Sequence, residues 1–170
     1  MQRRSILALL PAALAPWPIA GLAAPPGGLD DALAWLDTLV RQPAVRTTGA
    51  WPIGTVLQHL AQSIEMSLDG YPAPRGALFQ HTAGAAAFGY FKWRGHMSHG
   101  LDEPIPGAPA LAASTDVGRG ADRLRAAITR FQRHQGALAP HFAYGALSRS
   151  DYAIAHALHI ANHRDEIAGA

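Results

Sequence analysis

Cysteine is absent from the 170 residues, which excludes a disulfide framework, a thiolate metal site and a cysteine nucleophile. Its absence does not fix the compartment, because an exported chain can do without disulfides. Charge is also scarce. Only 15% of residues are charged against 49% hydrophobic, which excludes a disordered chain and fits a globular or membrane-associated one. No internal repeat and no run with strand-like alternation stands out. The length suits one domain with a full core.

What is present begins at the N-terminus. Arg3 and Arg4 precede an uncharged stretch from Ser5 to Ala24 that ends in Gly21-Leu22-Ala23-Ala24. A basic start, an apolar run and small residues at its end make residues 1–24 an export signal. The arginine pair followed by Ser-Ile-Leu is similar to a twin-arginine signal. The alternative is a retained membrane anchor, since about 20 apolar residues can span a bilayer, although Pro11, Pro16 and Pro18 weaken a continuous helix. The expected location is periplasmic or secreted, with membrane contact only through an uncleaved segment. Removing residues 1–23 takes away Arg3 and Arg4 and no acids, so Lys plus Arg falls from 14 to 12 against 12 acids. The mature chain is then near neutral, and nucleic acid is not an expected partner. Arg119, Arg123, Arg125, Arg130 and Arg133 read as the solvated face of a helix.

Beyond a Pro25-Pro26-Gly27-Gly28 linker, the apolar spacing predicts helices. The first runs from about Leu29 to Arg41, with Asp30 and Asp31 at its positive end. The second starts near Pro52 and stops at Gly70. Arg75 to Gly95 is apolar and aromatic, but Gly84 and Gly89 argue against one unbroken helix. Gly100 to Ser114 holds Pro104, Pro106 and Pro109 and reads as a long irregular crossing. A further helix carries Ala121, Leu124, Ile128, Phe131 and Leu138 at helical spacing. His141 to Leu147 is a loop, and Ser148-Arg149-Ser150-Asp151 matches a capping box that opens the last helix. The expectation is an all-α fold, residues 25–170, forming an antiparallel helical bundle with one long crossover.

Histidines carry the chemistry. His159 and His163 stand four residues apart and share one face of the last helix. Two imidazoles at that spacing can clamp one ion, and a third from another helix, His59, would complete a facial set with positions left for water or substrate. Spacing alone leaves this open, because His-x-x-x-His is common and a packed or exposed histidine satisfies the same pattern. His156 lies on the same stripe, as an outer partner of the ligands, a proton shuttle or a packed side chain. His141 either points into the pocket or anchors its loop. His81, His96, His99 and His134 read as surface, and Glu65 is turned away from His59.

Three stretches carry a resemblance. They are Leu57-Gln58-His59-Leu60-Ala61-Gln62-Ser63-Ile64-Glu65, His141-Phe142-Ala143-Tyr144-Gly145-Ala146-Leu147-Ser148, and His159-Ile160-Ala161-Asn162-His163-Arg164-Asp165-Glu166. In their order and spacing they resemble the DinB-like, YfiT-type superfamily of metal-dependent enzymes, in a bacterial branch of uncharacterised function. The resemblance implies a four-helix bundle with a divalent ion, zinc or nickel, held by His59, His159 and His163. Superfamily members include thiol transferases and isomerases, so the fold does not fix the chemistry. Asn162-His163 replaces the adjacent histidines usual in the branch, and Asp165-Glu166 replaces its Arg-Gln, which puts the surroundings of the ligands in question.

Three functions follow as expectations. The first is a metalloenzyme, a hydrolase or thiol transferase, that activates water or a thiol for a small-molecule substrate. Its pocket would be walled by Phe88 to Trp93 or by the Pro104–Pro109 crossing. The second is a non-catalytic envelope protein binding a metal or ligand, and the third is a helical interaction module without metal. No carboxylate is evidently placed as a general base.

Overall fold

The computed structural model describes residues 27–168; the expected export signal, residues 1–24, lies outside them. The described chain is mostly helical. Its helices are α1 (Leu29–Leu39), α2 (Ile53–Asp69), α3 (Ala77–Phe79), α4 (Ala85–Arg94), α5 (Val117–Arg133) and α6 (Arg149–Arg164), with a π-helical turn, Gln80–Gly84, between α3 and α4. No helix among the described residues is long and apolar enough to cross a membrane.

The stripe expected on α5 is buried from Ala121 to Phe131, although Leu138 lies beyond the end of that helix at Arg133. Leu36 and Leu39 of α1, Leu57, Leu60 and Ile64 of α2, Leu124 and Ile128 of α5, and Tyr152 and Ile160 of α6 form one buried cluster. The cap expected at Ser148 forms, and Asp116 supplies one that was not expected. The Ser148 hydroxyl accepts from the Asp151 N–H at 3.1 Å, and the Asp116 carboxylate accepts from the Arg119 N–H at 2.9 Å. Each such cap satisfies a backbone donor that the helix itself cannot.

Helix directions follow from the side-chain pairs between them. Asp37 meets Arg125 and Asp30 meets Gln132, so α1 and α5 run antiparallel. Glu65 meets Arg123 and Asp69 meets Arg130, so α2 and α5 run parallel. The expected long crossover thus leaves α2 and α5 parallel. Parallel neighbours cannot be joined by a short turn, and here the Pro-rich crossing supplies the return. It passes back along α2, with the Pro109 carbonyl accepting from Gln62 at 2.9 Å and the Ala112 carbonyl from Thr55 at 3.2 Å. The arginines of α5 form the expected solvated face, and Arg123, Arg125 and Arg130 are also ion-paired there.

Two further differences have local causes. The chain from Ala77 to Arg94 stays helical through Gly84 and Gly89 by way of the π turn, from which Gln80 donates to the carbonyls of His141 and Phe142 at 3.3 and 3.2 Å. A two-stranded sheet exists where no strand was expected. β1 (Arg46–Thr47) pairs antiparallel with β2 (Ile167–Ala168), Arg46 opposite Ala168 and Thr47 opposite Ile167. Two residues are too few to show an alternating pattern.

The parallel pair approaches closely at Gly120. A Cβ there would lie 2.9 Å from the Leu57 Cβ and 3.2 Å from the Gly54 carbonyl oxygen. Alanine gains roughly 1 kcal/mol of helix propensity over glycine, but overpacking a tight contact costs about 1–3 kcal/mol. Gly120→Ala is therefore expected to be net destabilising by up to about 2 kcal/mol. Urea unfolding checks this; an unchanged or higher midpoint would show that the α2–α5 contact is loose.

Candidate metal centre

The antiparallel faces of α2 and α6 meet in a polar ladder set by helical spacing. His59, Ser63 and Ser67 recur every four residues on α2, and His163, His159 and His156 oppose them on α6. The His59 and His163 rings stand 5.2 Å apart, Ser63 Oγ is 3.3 Å from His159 Nδ1, and Ser67 Oγ is 3.1 Å from His156 Nε2. The rungs at one end are imidazole on imidazole, and those further along are imidazole on hydroxyl.

At the imidazole end His59, His159 and His163 converge. Their ring centroids are 5.0–5.2 Å apart, and one ligand nitrogen from each lies within 4.8 Å of the others. The Nδ1 of His59 and the Nε2 of His163 are buried without a hydrogen-bond partner. An unpartnered buried nitrogen is costly, and an ion would satisfy it. Burial holds all three rings in the neutral form that ligation requires. His59 is pushed down to about 4 by burial and then by His99, and His163 to about 3 by burial, His59 and His99. His159 lies well below its ordinary value, through burial and the surrounding histidines. The residues present therefore fit a divalent ion.

His163 is oriented from behind. Its Nδ1–H donates to Glu166 Oε1 at 2.7 Å in a buried contact. Hydrogen-bonding the far nitrogen of a ligating histidine to a carboxylate fixes the tautomer and makes the near nitrogen a better ligand. Glu166 is held there by its backbone: its carbonyl accepts from the Thr48 N–H at 2.8 Å and the Thr48 hydroxyl at 3.1 Å, next to the β1–β2 pairing. Gly49 leaves room for the carboxylate, since a Cβ would collide with Oε2. The departure at Asp165-Glu166 thus supplies an orienting partner. Its signal was in the sequence, because a residue three after His163 falls beside it.

The other candidates separate. His156 is a packed histidine, stacked on Tyr152 at 5.4 Å, edge-on to Phe131 at 5.1 Å and bonded to Ser67. His141 does both things proposed for it. Its Nδ1 accepts from the Ala143 and Tyr144 N–H groups at 3.1 and 3.2 Å, and its ring lines the cavity. Accepting at Nδ1 leaves the proton on Nε2. Glu65 is spent on a bidentate pair with Arg123. His99, read as surface, is instead half-buried beside the cluster, 4.8 Å from His159 and 5.4 Å from His163 between ring centroids. It sits on irregular chain, where no periodicity relates it to the other histidines.

A cavity of about 190 Å³ opens beside the cluster, lined among others by His59, His159, Met97, Ile105, Phe142 and Tyr144. The proline crossing walls it, through Pro104 and Pro106. Phe88 to Trp93 do not line it; Phe88 lies behind, stacked on Tyr144 at 5.3 Å.

Fold and site together define a mostly helical protein with a histidine cluster spaced to hold a metal ion. The chain belongs to the family described as a protein of unknown function, DUF1569, which it matches over residues 27–169. No curated protein and no solved structure matches it.

Proposed function

We propose that this is an exported metalloprotein with a DinB-like four-helix bundle of α1, α2, α5 and α6, binding one divalent ion, zinc or nickel, through His59, His159 and His163. The observation that carries the reading is the convergence of three imidazoles, two of which, His59 and His163, hold a buried nitrogen without a partner. The ion would lower the pKa of a water or thiol and polarise a substrate beside it, as in hydrolases and thiol transferases. The chain's own residues do the rest. Glu166 fixes His163, and Ser63 fixes His159. Met97, Ile105 and Phe142 exclude water, and His141, with its proton on Nε2, offers a neutral donor to a bound molecule. The cavity is smaller than the roughly 300–1,000 Å³ of drug-sized ligand sites, which favours a substrate of few heavy atoms. The arginine pair and apolar run at the N-terminus support export to the periplasm or beyond.

One experiment addresses both parts. The full chain is produced in a bacterial host, the cells are fractionated, and the product is N-terminally sequenced and analysed for metal. The expected product is processed near Ala24, lies outside the cytoplasm and carries one divalent ion per chain. An intact cytoplasmic product would reject export. A product without metal that also takes up neither zinc nor nickel would reject the metal site.

A further inference from the structure

We propose that His99 is a fourth nitrogen ligand of the same site, brought to it by the connection between α4 and α5. The inference rests on the three-histidine reading and extends it. His99 approaches His159 and His163 to 4.8 and 5.4 Å between ring centroids, either side of the 5.0–5.2 Å that relates the three cluster rings to one another. It comes from a different element, and its ring must close in to join His59, His159 and His163, whose ligand nitrogens already lie within 4.8 Å of one another. Its tautomer also suits ligation. His99 Nδ1 lies 2.7 Å from the Gly100 carbonyl oxygen, and a carbonyl can only accept, so Nδ1 carries the proton and Nε2 keeps its lone pair. A ligating histidine characteristically donates its other N–H to a backbone carbonyl or carboxylate in this way. Glu166 does this for His163 and the Gly100 carbonyl does it for His99. His99 also lines the cavity through which any ligand reaches the cluster. The segment is seated close by, with Met97 buried and Ile105 packed against Met66 and Tyr71.

The consequence is chemical. Three histidines leave zinc an open position, whereas four nitrogens complete a tetrahedron. With His99 bound, a substrate reaching the ion must displace it or raise the coordination number to five. His99, on the cavity wall, would then close the site at rest, and the connection carrying it would set access to the ion.

The test compares the full chain with its His99→Ala variant, using zinc alone as the probe. Competition titration should show zinc binding weakened in the variant by more than the roughly 10–100-fold that loss of an outer partner costs a metal site. X-ray absorption of the zinc-loaded proteins should count four imidazoles in the wild type and three plus a light oxygen scatterer in the variant. Because His99 is half-buried on irregular chain, circular dichroism should show unchanged helicity. Zinc bound by the wild type with three imidazoles, and with equal affinity in the variant, would overturn the fourth ligand while leaving the three-histidine site standing. A wild type that binds no zinc would overturn both.

Discussion

His159→Ala should abolish high-affinity metal binding and leave the helices intact. Loss of a direct ligand is expected to weaken binding by more than the roughly 10–100-fold typical of an outer partner. The fold should survive because His159 is half-buried and its neighbour, the Ser63 hydroxyl, is neutral and can turn to another acceptor. His163→Ala should lose the metal equally but behave differently without it. His163 is fully buried and bonded to the buried Glu166 carboxylate, so its removal strands a charged acceptor in the interior. Leaving such a group unsatisfied costs about 1–3 kcal/mol, or more when it is charged. Zinc titration, with urea unfolding in chelator, separates the two effects. Equal metal content in wild type and His159→Ala would reject the site. Equal stability of the two metal-free variants would reject the buried role given to Glu166.

The parts of this molecule legible in its sequence are those governed by regular periods. The core stripes of α1, α2 and α5 and the capping box at Ser148 each express a helical spacing or a local hydrogen bond, and the residues stand where those rules put them. The pairing of His159 with His163 was readable for the same reason. Their convergence with His59 came from the resemblance, since no spacing relates residues a hundred positions apart. His99 was misread because its position depends on the path of an irregular crossing. The long crossing was legible from its prolines, but which two helices it leaves parallel depends on packing that no local spacing carries. Glu166 was legible in principle, being three residues past a ligand, but its seat depends on β1 and β2, which are two residues each.

The second large effect is expected in acid. Burial pushes both His141 and His156 down to about 3; for His156, which lies against Phe131, Tyr152 and Ser67, the nearby His141 adds to it. In the unfolded chain a histidine titrates near 6.5. Between those values the unfolded state binds more protons than the folded one, so stability falls as pH falls below about 6.5 and levels off only near the folded values. At about 1.4 kcal/mol per unit of separation, each such histidine removes on the order of 2 kcal/mol by pH 5. His59, lowered to about 4, and the two α6 ligands add to this when no metal is bound. The total reaches several kcal/mol, comparable with the roughly 5–15 kcal/mol that holds a domain folded. The metal-free chain should therefore unfold cooperatively on acidification, well above the pH range of carboxylate titration. His156→Leu removes one contributor without stranding a partner, because the Ser67 hydroxyl still donates to the Ile64 carbonyl at 2.7 Å. Urea unfolding at pH 7.5, 6 and 5 should show a steep loss in the wild type and a shallower one in His156→Leu. Superimposable pH profiles for the two proteins would mean that His156 is protonated as readily in the folded chain as in water, and that its contact with Ser67 does not hold it neutral.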